Sequence, residues 1–212
     1  MSESAYSRPL AAARLIATFG FIALIVVLAK PRPVEVAVGF VIAAAGEAVR
    51  VWAAGHLLKT KELITSGPYR YSRNPLYLGR FLILTGLCVM CRLPFHANWI
   101  LLLVGYAIFF GYYMPRKERV EPDRLRAVHG EAYERYYRAV PALFPTWKPF
   151  ANASNLGWSS DRMIRNREGW MVAGILAITI FLLWKAHRVP ERPEVAPLRV
   201  PASSPPPPVS GS

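Results

Sequence analysis

Five apolar runs constrain this chain more than any other feature: residues 10–29, 34–58, 75–91, 97–114 and 169–184. A hydrocarbon core about 30 Å thick takes roughly 20 residues of helix to cross. Soluble domains seldom show five such runs. The fold expected is therefore all-α, a polytopic integral membrane protein with about five transmembrane helices. The first run is followed by Lys30-Pro31-Arg32-Pro33 without a small-residue cleavage site, so it reads as a retained anchor rather than a secretory signal. The link at 30–33 is short enough for the first two runs to form an antiparallel hairpin. The last run is short for a full crossing, with Lys185 and Arg188 placed to snorkel.

Charge sets the orientation. The chain carries 26 Lys and Arg against 13 Asp and Glu, an excess that on a soluble protein would suggest nucleic acid. Here the basic residues fall between apolar runs, and retained basic loops give the same surplus, so no nucleic-acid partner is expected. Lys59, Lys61, Arg70 and Arg73 lie on the same side as the many basic residues of 116–168, whereas the opposite loops hold Lys30, Arg32 and Arg92. Positive-inside logic puts 59–74 and 116–168 together in the cytoplasm, so that two sequence-distant polar segments face each other.

Cys88 and Cys91, the two cysteines, sit inside an apolar run, where soft apolar packing one turn apart is the simpler account than redox chemistry. Neither a disulfide framework nor a complete zinc site is present, and no metal is expected. Beyond residue 188 the composition turns to Pro, Ser and Val, a disordered tail over 189–212 behind a single membrane domain over 1–188.

Two polar constellations carry the chemistry. In the first, Lys61 to Gly79, Gly67-Pro68 marks a turn and Asn74-Pro75 a helix start, with Asn capping and Pro at the first helical position. Free amides at that helix end, beside Arg73, would attract a carboxylate or phosphate. Tyr69 and Tyr77 offer ring faces to a base or cation. An interfacial loop without a ligand is the plainer reading of the same residues. In the second, Arg116 to Pro141, Glu118 and Glu121 stand one turn apart just past a span. An apolar stripe (Leu125, Val128, Ala132) and an aromatic one (Tyr133, Tyr136) follow. Its plainer reading is a solvated, salt-bridged surface helix. Glu47 and Arg50, inside the second span, are costly in lipid unless they pair with each other or face a cavity.

Together the two segments resemble the isoprenylcysteine carboxyl methyltransferase and phospholipid methyltransferase superfamily of integral membrane enzymes. Lys61 to Gly79 follows the pattern H-x-L-V-T-x-G-x-Y, three residues, R-H-P-x-Y-x-G without a gap. Glu121 to Pro141 follows E-E-x-x-L, three residues, F-G-x-x-Y-x-x-Y, three residues, V-P. The likeness covers residues 34–145. Lys61 and Asn74 stand at His positions, Pro122 at the second Glu and His129 at the Phe; Asn can hydrogen-bond but cannot titrate.

The resemblance implies S-adenosylmethionine in a cytoplasm-facing pocket closed by both segments. Carried over by position, Lys61, Leu63, Ile64, Tyr69, Asn74, Pro75, Tyr77 and Glu121 would contact the cofactor, and Lys117 would lie near a lipophilic acceptor. Arg73 joins them on physical grounds, as partner for a carboxylate. Glu118 or Glu121 would act as base, and Lys117 or Arg73 would hold an anionic acceptor. Isoprenylcysteine-type carboxyl O-methylation is the expectation, with a phospholipid amine as the alternative acceptor. A sterol-reductase-like enzyme and a non-catalytic scaffold for anionic lipid are the competing classes. The first usually has more spans, and the second leaves both motif frames unexplained.

Overall fold

The computed structural model describes residues 20–58 and 63–188, together with Ala13, Ile16 and Ala17. Among these residues every regular element is helical. α1 covers residues 20–28, α2 Pro33–His56, α3 Pro75–Met90, α4 Ala97–Ile108, α5 Met114–Ala139, α6 Ser160–Arg165 and α7 Glu168–Arg188. The beginning of the first apolar run, Lys61 and the tail expected over 189–212 lie outside the described residues.

Three described helices are long and apolar enough to cross a membrane: α2, the apolar part of the kinked Pro94–Ala139 helix, and α7. α3 has 16 residues, about 24 Å at 1.5 Å per residue, so it is shorter than the hydrocarbon core. It packs along α2 through small residues. A Cβ on Gly39 would lie 2.5 Å from the Gly86 carbonyl oxygen, and a Cβ on Gly86 2.5 Å from the Gly39 carbonyl oxygen. Only glycine at both positions lets the backbones approach this closely. Val36, Ala43, Ile83, Met90, Ile175 and Leu182 fill the core between α2, α3 and α7. Outward, Val34, Val38, Val41, Leu103, Ile108 and Ile180 are half exposed or more, an apolar surface that water does not tolerate at this extent and lipid does. The chain is an all-α integral membrane protein.

Two sequence expectations change. The fourth apolar run ends at residue 114, before Pro115, yet the helix continues through that proline. A π-helical turn at Phe109–Tyr113 runs directly into α5, and the wider turn accommodates the donor that proline lacks. The last run also proves longer than its apolar stretch, because α7 extends 21 residues to Arg188. Lys185 does not merely snorkel: its ammonium donates to the Val26 and Val27 carbonyls at the end of α1, where free carbonyls favour a cation.

The ends of the bundle differ in character. At one, the Lys30 amide donates to the Arg92 carbonyl (2.7 Å) and Arg92 faces Glu35 (3.7 Å). At the other, the end of α2, residues 63–75, α5 and the segment 140–168 converge. The two polar constellations of the sequence therefore do meet.

Candidate functional site

The meeting begins with a turn that only glycine makes easily. Gly67 has φ +57°, and a Cβ there would lie 2.4 Å from the His56 ring, which itself hydrogen-bonds Ser66 Oγ at 3.1 Å. The expected turn is thus present, as one 3-10 turn over Gly67–Arg70. It buries Tyr69 and sends the chain along the segment that follows α5. Tyr136 donates its hydroxyl to the Tyr69 carbonyl (2.8 Å), Ser72 donates to the Leu143 carbonyl (2.8 Å), and the Arg73 amide donates to the Pro141 carbonyl (2.9 Å). These bonds join the first constellation to the second.

α5 is broken at Gly130 (φ +50°, ψ −126°), and Arg126 reaches across the break to Glu134 at 3.0 Å. The bend places Tyr133 and Tyr136, both 3% exposed, in a cluster with Leu63, Leu125 and Val140. The predicted apolar stripe stops at Leu125. Val128, two residues before the break at Gly130, is 55% exposed.

Between the two constellations lies a cavity of about 190 Å³, open to one side and lined by Leu63, Ile64, Tyr69, Arg73, Asn74, Glu118 and Glu121 among the residues the sequence singled out for the site. Leu57, Leu58, Pro122, Leu125, Tyr133 and Tyr136 complete it. Site reasoning passed over these six. The Tyr-x-x-Tyr spacing, one helical turn, was the available signal for the two tyrosines; nothing in the sequence marked Leu57 and Leu58 as walls rather than span. Pro75, Tyr77 and Lys117 do not line this cavity. Pro75 lines a separate apolar groove with Trp52 and Tyr71. Lys117 pairs with Glu121 at 3.0 Å and lies 4.2 Å from the Tyr77 ring centroid.

Three polar roles differ from expectation. Asn74 occupies the N-cap position of α3 but makes no side-chain cap bond. Its side-chain amide donates to Glu118 Oε1 (3.1 Å) and to the Ala142 carbonyl (2.8 Å), the first of these strengthened by the charge on the carboxylate. Arg73 does not stand free beside that helix end for an anion. Its guanidinium donates to Glu118 Oε2 at 2.5 Å and stacks 3.6 Å over the Tyr137 ring. Inside α2, Arg50 does not pair chiefly with Glu47. It takes a two-point grip on Glu168 of α7, at 2.7 to 3.1 Å, whereas Glu47 stays 3.7 Å away without a hydrogen bond.

Burial drives the tyrosine hydroxyls toward their neutral form. The Tyr133 phenol is pushed up to about 12, and Tyr69 and Tyr136 are raised further, in each case mainly because a phenolate there would lose its water. Glu121 adds to the effect at all three, and for Tyr69 it is the largest electrostatic contributor.

The residues fit a group that is cationic at one end and aromatic at the other. Glu118 and Glu121 supply negative charge, the tyrosines supply ring faces for a sulfonium or ammonium, and the leucines and Ile64 supply an apolar bed. Two cavity donors have no partner among the described residues: the Tyr69 hydroxyl and Arg73 Nε are buried and make no hydrogen bond there. Buried polar atoms left this way normally have a partner that completes them. Among the described residues, no group of three or more His, Cys, Asp or Glu could hold a metal ion.

The sequence is similar to those of known proteins. Residues 42–120 match the family model for phospholipid methyltransferase. A nickel-cobalt-cadmium resistance protein, NccN, of Alcaligenes xylosoxydans xylosoxydans is 33% identical over 107 residues, half of this chain and 47% of that protein. A methanethiol S-methyltransferase of Crocosphaera subtropica is 37% identical over 79 residues, 36% of this chain and 27% of that protein. The chain spans less than half the length of the curated relatives it matches. No solved structure matches it significantly. The likeness to phospholipid methyltransferases is carried by residues 42–120.

Proposed function

We propose that this protein transfers a methyl group from S-adenosylmethionine to an uncharged lipophilic acceptor, an amine or a thiol, at the cavity between residues 63–74 and 118–136. The observation that carries the reading is the pairing of two partnerless donors, Tyr69 Oη and Arg73 Nε, with the carboxylates of Glu118 and Glu121 around one cavity.

When bound, S-adenosylmethionine supplies a methyl group on a positively charged sulfur. The protein has to hold that charge, align the acceptor and keep water out. Glu121 and the tyrosine faces would hold that positive charge, Tyr69 and Arg73 would donate to polar atoms of the cofactor, and Leu57, Leu58, Leu63 and Ile64 would bed its aromatic part. An amine or thiol that accepts the methyl group must release a proton, and Glu118 or Glu121 would take it.

The ion pairs support an uncharged acceptor. Arg73 pairs with Glu118 and Lys117 with Glu121, so neither of these two cations faces a carboxylate acceptor alone, while each carboxylate keeps acceptor capacity beyond its one cation. The phospholipid methyltransferase match and the methanethiol S-methyltransferase relative point the same way. The basic loops at this end of the bundle support a cytoplasm-facing cavity. Leu63, Ile64, Tyr69, Arg73, Asn74 and Glu121 are proposed as cofactor contacts within the cavity. Pro75, Tyr77 and Lys117 are proposed as its outer support, and Lys61 as a further contact.

The test is incubation of purified protein with methyl-labelled donor and membrane lipid extract, followed by mild base. Label that survives base is on nitrogen or sulfur and supports the reading. Label released as methanol comes from an ester and would return the acceptor to the carboxylate class. No transfer to any lipid sinks the proposal.

A further inference from the structure

The last membrane helix, α7, lies beyond the family match at 42–120, yet it is bonded into the site's foundations. The segment leading into it covers the carbonyl end of α2, where helix geometry leaves acceptors unsatisfied. Trp158 Nε1 donates to the Val51 carbonyl (3.2 Å), Asn166 Nδ2 to the Ala54 carbonyl (3.0 Å), and both the Ser159 amide (3.0 Å) and Arg162 Nε (2.6 Å) to the Gly55 carbonyl. Glu168, the first residue of α7 and 4% exposed, then grips Arg50 at two points. Arg50 in turn lies against the start of α3. Its Nη1 is 3.5 Å from the Leu76 carbonyl, and a Cβ on Gly79 would sit 2.3 Å from Arg50 Cγ. The glycine that ends the first motif is thus the bare backbone over which the Arg50 stem crosses.

We propose that Glu168 and Arg50 tie α7 to the first turn of α3, making Arg50 a positioning residue for methyl transfer. The proposal rests on the methyltransferase reading for its catalytic consequence, though the tie itself does not. Arg50 does not line the cavity. It fixes the turn carrying Pro75, Leu76 and Tyr77, directly after Arg73 and Asn74, whose side chains hold Glu118. Of the two carboxylates near its guanidinium, Glu168 makes the bidentate grip that orients it, and Glu47 makes no hydrogen bond. Loss of that orientation lets the α3 start shift, and a misplacement of about 1 Å costs roughly a hundredfold in a positioned reaction.

The test compares full-length wild type with Glu168→Gln and Arg50→Lys in detergent, reading amide hydrogen exchange over 76–79 and methyl transfer to lipid extract. Faster exchange in that turn, with turnover lowered at least about tenfold and acceptor KM little changed, is the expected result. Unchanged exchange in folded variants overturns the tie, and faster exchange with wild-type turnover overturns the positioning role. If wild type itself transfers no methyl, the methyltransferase reading and the positioning role fall together, and exchange alone decides the tie. Should Glu168→Gln not fold, Arg50→Lys is measured in its place. If neither folds, the pair is a folding element and the positioning proposal is overturned.

Discussion

Replacing Tyr69 with Phe separates a binding role from a structural one. The Tyr69 hydroxyl is buried and has no partner, while the Tyr69 backbone carbonyl keeps its bond from Tyr136 whatever the side chain. A buried, unsatisfied polar group costs about 1–3 kcal/mol. Removing the oxygen therefore leaves stability unchanged or raises it by about 1 kcal/mol, a Tm rise of a few degrees. If that hydroxyl donates to S-adenosylmethionine, its loss forfeits one neutral hydrogen bond, about 0.5–1.5 kcal/mol. At 1.4 kcal/mol per factor of ten, the affinity falls roughly 2- to 12-fold. Thermal unfolding and calorimetric titration in the same detergent measure both quantities. A variant that melts several degrees lower with unchanged affinity would refute the reasoning, since the hydroxyl would then have a partner within the fold.

Gly67→Ala should destabilise by about 2–4 kcal/mol, from the left-handed backbone together with displacement of the His56 ring, and differential scanning calorimetry reads it. Glu47→Gln should leave stability equal or raise it by up to about 2 kcal/mol, because the carboxylate is buried without a hydrogen bond while Glu168 already satisfies Arg50; denaturant titration checks the sign. Alkaline titration should find Tyr69, Tyr133 and Tyr136 resisting ionisation. Their folded values lie above the ordinary 10, so the stability they contribute is present below pH 10 and is lost as pH rises through about 12 for Tyr133. Phenolate absorbance in wild type against Tyr133→Phe tests this, and ionisation of all ten tyrosines near pH 10 in folded protein would contradict it.

The membrane class was legible in the apolar runs, and the meeting of the two polar segments in the loop charges, because both depend on composition summed over many residues. The turn at Gly67 was legible as well, since few residues adopt its backbone. Pairings across the chain were less so. Arg50 and Glu47 are one turn apart and invite a local pair, but the partner Arg50 chooses is 118 residues away, a distance that no spacing rule covers. Asn74 likewise looked like a helix cap because of the Pro that follows it; the carboxylate of Glu118 reached it from another helix. The continuation of α4 into α5 was hidden by Pro115, whose breaking effect a π turn absorbs. Leu57 and Leu58 read as the end of a span, and only folding turns them into a cavity wall.

Calorimetric titration of the full-length protein in detergent with S-adenosylmethionine, beside Glu121→Ala, tests most directly whether the cavity holds that donor. Saturable single-site binding in wild type, weakened at least about tenfold in Glu121→Ala by loss of a charged partner, is the predicted result. Absence of saturable binding by wild-type protein that still unfolds cooperatively would contradict it.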